Sequence, residues 1–103
     1  MIDLQIEHNF AGGVYARRMI LNPGNWVQQH KHNYDHMSIL AIGSVIVEAD
    51  GEQKVYFGPT CIEIKAGTAH KVTAIEYSHW YCIHATDVAE ANDEMLKEEL
   101  VMK

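Results

Sequence analysis

The stretch HKHNYDHMSILAIG, residues 30–43, sets three imidazoles, His30, His32 and His36, within seven positions. Imidazole nitrogen is the commonest protein ligand for late first-row metals. In an extended chain side chains alternate, so His30 and His32 share one side and form a two-residue chelate. Trp26 and Gln28 have the same parity, which makes them candidates for the wall of a pocket. After the short NYD segment, His36 opens an apolar strand that a neighbouring pairing can bring opposite the first pair. His70 follows KAGTA at another turn-to-strand junction. Asp35 is either an alternative ligand or a carboxylate that orients a ligating histidine.

Other chemistries fit less well. Neither cysteine has a second Cys or His at zinc-finger spacing on both sides. Cys82 and His84 lie two apart on one strand, which sets them in a row and leaves no activated nucleophile–base geometry. The strand over 79–84 is expected to pair with 70–74. Either Trp80, Cys82 and His84 or His79, Tyr81 and Ile83 then face inward. The first set is preferred, because it gives Cys82 and His84 a role, and Val72 faces inward if His70 is a ligand. Candidate general bases are Asp35, Tyr34 and His84. The Arg17-Arg18 doublet puts one guanidinium on each face of its strand, one of them available to a carboxylate, although a solvated arginine is the ordinary reading.

The frame around these residues is a single domain of 103 residues with 21% charged and 48% hydrophobic content. No apolar run approaches the roughly 18 residues of a membrane span. MIDLQIEHNF has neither the basic start nor the apolar core of a secretory signal. Cys61 and Cys82 imply no disulfide framework, so reduced thiols and a cytoplasmic setting are expected. The net charge of −6, with no basic block, argues against a nucleic-acid partner.

Along the chain, GGVYARRMIL (12–21) reads as a strand, NPG (22–24) as a turn, and NWVQQHKH as an extended segment. MSILAIG is an apolar strand. SVIVEADGEQKVYF reads as a hairpin turning at Asp50-Gly51. GPTCIEIKAGTAHKVTAI holds two strands broken at Ala66-Gly67, and HWYCIHAT is a last strand. Asp87 followed by Glu90 forms a capping-box pattern in front of a helix over about 87–100. About seven or eight short strands with regular turns argue for an all-β sandwich or barrel. Apolar residues at both parities, as in SILAI, suit a barrel that also packs against another subunit.

GNWVQQHKHNYDHMSILAIG (24–43) resembles the first motif of the cupins: Gly24, His30, His32 and Gly43 fall in register, and His36 takes the position of the usual glutamate. GPTCIEIKAGTAH is similar to the second motif, which spans 58–74. Gly58, Gly67 and His70 match, the first gap is one residue longer, and Lys65 and Ala74 replace the usual proline and asparagine. The resemblance implies a double-stranded β-helix, a cupin jelly-roll barrel, followed by the short C-terminal helix. It implies one divalent transition metal (Fe, Mn, Ni, Cu or Zn) on His30, His32, His36 and His70. Four neutral imidazoles leave the ion its full double charge, which favours an anionic or enolate ligand oxygen. The function implied is that of a metal-dependent enzyme on a small molecule: a dioxygenase-type oxidoreductase, an isomerase or a lyase. The alternatives are a non-catalytic metal-dependent small-molecule or sugar-binding module, and a barrel whose metal is only structural. Small cupins also imply a homodimer.

Overall fold

The computed structural model of the chain describes residues 5–29, 36–65, 67–85 and 100–102. Ten strands follow in order: β1 (Gln5–Ala11), β2 (Val14–Leu21), β3 (Trp26–Gln29), β4 (His36–Ile42), β5 (Ser44–Ala49), β6 (Glu52–Phe57), β7 (Thr60–Ile64), β8 (His70–Ala74), β9 (Ser78–Ala85) and β10 (Leu100–Met102). They make two antiparallel five-stranded sheets, with orders β1-β2-β9-β4-β7 and β10-β3-β8-β5-β6. This is the all-β double-stranded β-helix. Among the described residues no helix is long and apolar enough to cross a membrane.

Period-two burial shows how the sequence folds this way. β2 alternates Tyr15, Arg17, Met19 and Leu21 inward with half-buried or exposed neighbours, and β8 does the same with His70, Val72 and Ala74. Met19, Leu40, Val72 and Trp80, all at 0% exposure, meet in the core between the sheets. Full burial of one such apolar side chain contributes roughly 1.5–3 kcal/mol. The β5–β6 hairpin turns at Asp50 and Gly51, with φ of 52° and 79°. Two consecutive left-handed residues match the twist of a two-residue hairpin.

The barrel has two unlike ends. At its floor, the Gly24 N–H donates to the Ala74 carbonyl and the Ala74 N–H to the Asn25 carbonyl, each at 2.9 Å, and the Gly58 N–H donates to the Gly43 carbonyl at 2.9 Å. The floor is tight at Gly43: φ is +96°, and a Cβ there would meet Ser78 Oγ, the Tyr77 carbonyl and, at 2.7 Å, Ser78 Cα. A side chain is excluded by both backbone conformation and space. At the opposite end, the mouth, lie the Asp50-Gly51 turn, the start of β8, the end of β3 and the start of β4.

Two expectations need correction or restriction. Strand 79–84 does not pair with 70–74: β9 pairs with β2 and β4, whereas β8 pairs with β3 and β5 in the facing sheet. The cause is the connection. The amides of Ile75 and Glu76 donate to the Ser44 carbonyl at 2.8 and 3.3 Å, which carries the chain across the β4–β5 corner rather than back in a hairpin. The helix over 87–100 lies outside the described residues except at its end, where Leu100 opens a strand paired with β3. The first strand, β1, was not foreseen.

Candidate metal centre

His70 is 2% exposed and opens β8 on the inward parity shared with Val72. It stands between Gln29 of β3 and Ala49 of β5 in register. His70 lines two hollows. The larger, ≈ 660 Å³, is an outward groove around the β5–β6 turn, with Gln28, Glu48 and Lys71 in its wall. The smaller, ≈ 320 Å³, reaches between the sheets, and its lining joins the apolar Val47, Ile62 and Ile64 to Asp50, Glu52 and Glu63. The smaller is the one bounded by strands of both sheets, and its size is that of a small-molecule site.

Register sets the strands that flank the histidine-rich segment, β3 and β4, beside this cavity. β3 ends at Gln29, the partner of His70, and the next residue in the sequence is His30. The described chain resumes at His36, the register partner of Ile64, and Ile64 lines the same cavity as His70. His30, His32, Tyr34 and Asp35 lie outside the described residues, and His36 is placed by its backbone. Among the described residues no three His, Cys, Asp or Glu side chains form a metal-holding group. His70 itself is of a chemistry that suits such an ion: a buried imidazole on the wall of a cavity whose lining also includes Asp50, Glu52 and Glu63.

The pocket candidates divide. Trp26 and Gln28 do not face the interior, as their parity with the histidines had implied. Val27 is the inward residue of β3, packed opposite Val72 with both at 0% exposure. The Trp26 ring lies on the outer face under the Lys71 ammonium, 4.4 Å from the ring centroid. Gln28 is exposed and borders only the outward groove. Trp80 and Cys82 are buried on the inward parity of β9, at 0% and 4% exposure. Ser38 Oγ–H points to Cys82 Sγ at 3.9 Å. The Trp80 indole N–H has no hydrogen-bond acceptor among the described residues. His84 is half-buried, with its ring edge-on to Tyr15 at 5.1 Å and its Nδ1 2.9 Å from the Ala85 carbonyl.

Sequence reasoning did not single out His8 and Tyr15, which complete a polar wall near the mouth on the inner face of the first sheet. Tyr15, 2% exposed, shares a 2.6 Å hydrogen bond between its hydroxyl and His8 Nδ1, and Phe10 stacks on it at 4.9 Å. Arg17, 6% exposed, is the inward member of the arginine doublet, with His8 and Cys82 as its register neighbours. Its partner in the doublet, Arg18, faces outward and holds Glu7 at 3.0 Å. Burial, and secondarily the Arg17 charge, lower the His8 pKa below the usual histidine value of 6.5. Cys61 is exposed and Cys82 buried.

A scan against protein-family models and a search of curated proteins give no match. Solved structures do match. A cupin superfamily protein from Desulfitobacterium hafniense DCB-2 superposes with a TM-score of 0.71 at 12% identity, over 82% of this chain and 79% of that one. An RmlC-like cupin family protein with a double-stranded β-helix fold from Methanocaldococcus jannaschii gives 0.69 at 15% identity, over 82% and 81%. KdgF from Halomonas sp. gives 0.69 at 18% identity, over 90% and 84%. At these identities the likeness is one of fold, and the fold is that of the cupins.

Proposed function

We propose that this chain is a metal-dependent cupin enzyme acting on a small molecule, with the ion held by His30, His32, His36 and His70. The observation that carries the reading is one of register: the residue before His30 pairs with His70, His36 pairs with Ile64, and His70 and Ile64 line one cavity. When bound, the divalent ion supplies a Lewis acid and, if redox-active, a site for dioxygen. The chain's own residues do the rest. Val47, Ile62 and Ile64 supply the apolar part of the cavity's lining, which Asp50, Glu52 and Glu63 share. Across the barrel, His8, Tyr15 and His84 form a hydrogen-bonding and ring-contact series near the mouth. His84 is the described candidate for moving a proton there; Asp35 and Tyr34 are the other two.

The reaction classes this supports are dioxygenation and proton-transfer chemistry such as isomerisation or lyase steps. The test is metal analysis of untagged protein, followed by oxygen-uptake and product assays of each metal form on 1,3-dicarbonyl, thiol and sugar substrates. About one ion per chain with turnover in at least one form is expected. An ion bound with no turnover in any form would assign the domain to non-catalytic binding; no ion at all would remove the reading.

A further inference from the structure

We propose that the outer face of the first sheet is the surface on which two copies of this chain meet, in a symmetric dimer packed sheet against sheet. Alternation defines the face. On β2 the buried row is Tyr15, Arg17, Met19 and Leu21, so Ala16, Arg18 and Ile20 point away from the core. Register continues these positions across the sheet. Ala16 pairs with Ile83, and Ile83 with Met37; Arg18 pairs with Tyr81, and Tyr81 with Ile39. β4 and β9 contain no Asp, Glu, Lys or Arg at any position. The charges lie towards the two rims, and each is answered within the chain: Arg18 pairs with Glu7 at 3.0 Å and Lys65 with Glu63 at 2.9 Å. An apolar centre inside a polar rim is the anatomy of a protein interface.

The outer face of the second sheet is built differently. A polar row, Gln53, Glu48, Lys71 and Gln28, crosses it in register and interrupts its apolar surface. Its exposed Val55 and Phe57 lie on the edge strand β6. On the first sheet, exposed Val14 and Met37 continue into half-buried Ile39, Tyr81 and Ile83 without such a row.

Charge and area select the occupant. Copies of a chain at −6 repel one another, so self-association needs a face from which that charge is absent. Here the two carboxylates and two cations of the rims cancel. β1, β2, β4 and β9 are each seven or eight residues long. With β7 they span a face on the order of 500 Å² in flat projection, from strand spacings of about 4.8 Å and rises of about 3.4 Å per residue. Side-chain relief brings its accessible area to about the 800 Å² per partner of a standard interface. Two such faces pack roughly 10 Å apart, as the layers of a sandwich do. The contact uses the same patch on both copies, so it closes at two.

Light scattering and sedimentation, from low to high micromolar concentration, should give twice the chain mass. Two glutamate substitutions then locate the contact. Met37 on the first sheet and Val55 on the second are 48% and 49% exposed in the single chain, and Met37→Glu and Val55→Glu add the same charge. Burying that charge in an apolar contact is unfavourable, so Met37→Glu should weaken dimerisation at least about tenfold. Val55→Glu should leave it unchanged. A monomeric wild type overturns the proposal and leaves the face to a different protein or to another part of this chain. A dimer that Met37→Glu leaves intact overturns it too, as does one that Val55→Glu weakens equally. If Met37→Glu does not fold, Met37→Gln takes its place, and unchanged association of that variant sinks the proposal.

Discussion

His70 stands directly opposite Gln29 across the β3–β8 pair, so a buried imidazole lies beside the point where the chain enters its histidine-rich segment. A lone buried histidine is commonly a core residue. Its place at a cavity wall, where β3 leads into that segment, motivates the first prediction.

His70→Ala should lower metal affinity by at least about tenfold, as removal of even an outer-sphere partner commonly does. Elemental analysis after dialysis against a weak chelator reads the result. Loss of the ion should also abolish the metal-dependent rise in melting temperature, since an ion that binds only the folded state stabilises it by mass action. Unchanged occupancy would remove His70 from the ligand set.

His36→Glu should retain the ion and change its electronics. One carboxylate in place of one neutral imidazole reduces the net charge of the site and favours the higher oxidation state. With iron or manganese bound, redox titration should show a midpoint potential shifted in the negative direction. A potential identical to wild type would show that His36 does not touch the ion.

The His8 environment predicts a pH dependence. Its folded pKa lies below the unfolded value of 6.5, for reasons of burial first and Arg17 second. The unfolded chain therefore binds more protons between those two values, and stability rises with pH across that window. The contribution from neutral His8 is present above pH 6.5 and is lost as pH falls through the folded value. Denaturant titrations at pH 7.5 and 5.5 should show a smaller pH-dependent loss in His8→Gln than in wild type, because glutamine does not titrate. An equal loss in the two proteins would sink the assignment.

Gly43→Ala should be among the most damaging small substitutions. The new methyl would press on Ser78 and the Tyr77 carbonyl in a left-handed backbone conformation. A cost on the order of 3 kcal/mol is expected from strain and steric conflict together. For a domain of this size each kcal/mol lowers the melting temperature by roughly 4–8 °C. Calorimetry should therefore show a drop of at least about 12 °C; a shift of a degree or two would mean that the floor relaxes around the methyl.

Much of this was legible in the residues, for identifiable reasons. Asp50-Gly51 announces a hairpin because few residue pairs accept two left-handed conformations in succession. The spacing from Gly24 through Gly43 pointed to a barrel, and the barrel is there. β1 escaped notice because it is an edge strand whose residues are mostly exposed, so no apolar alternation marks it. Parity from the histidines puts Trp26 and Gln28 inward on β3, whereas packing against Val72 selects Val27. Which arginine of the doublet turns inward was equally hidden. Val14, Ala16 and Ile20 make the outward row of β2 as apolar in composition as the inward one, so only pairing with β9 distinguishes them.

That last pairing has a consequence for how the protein comes into being. β2 owes its neighbour to a strand near the other end of the described chain: Val14 meets Ala85 and Leu21 meets Ser78. During synthesis, the wall that carries Tyr15 and Arg17 waits for nearly everything between to be made before it gains a second flank. Closing so long a loop before any contact rewards it is slow, as in other all-β domains that fold in milliseconds to seconds. Until β9 docks, a nascent chain exposes β2 as an open edge with a buried-type arginine on it, and that interval is when the protein is most exposed to mispairing with another copy of itself.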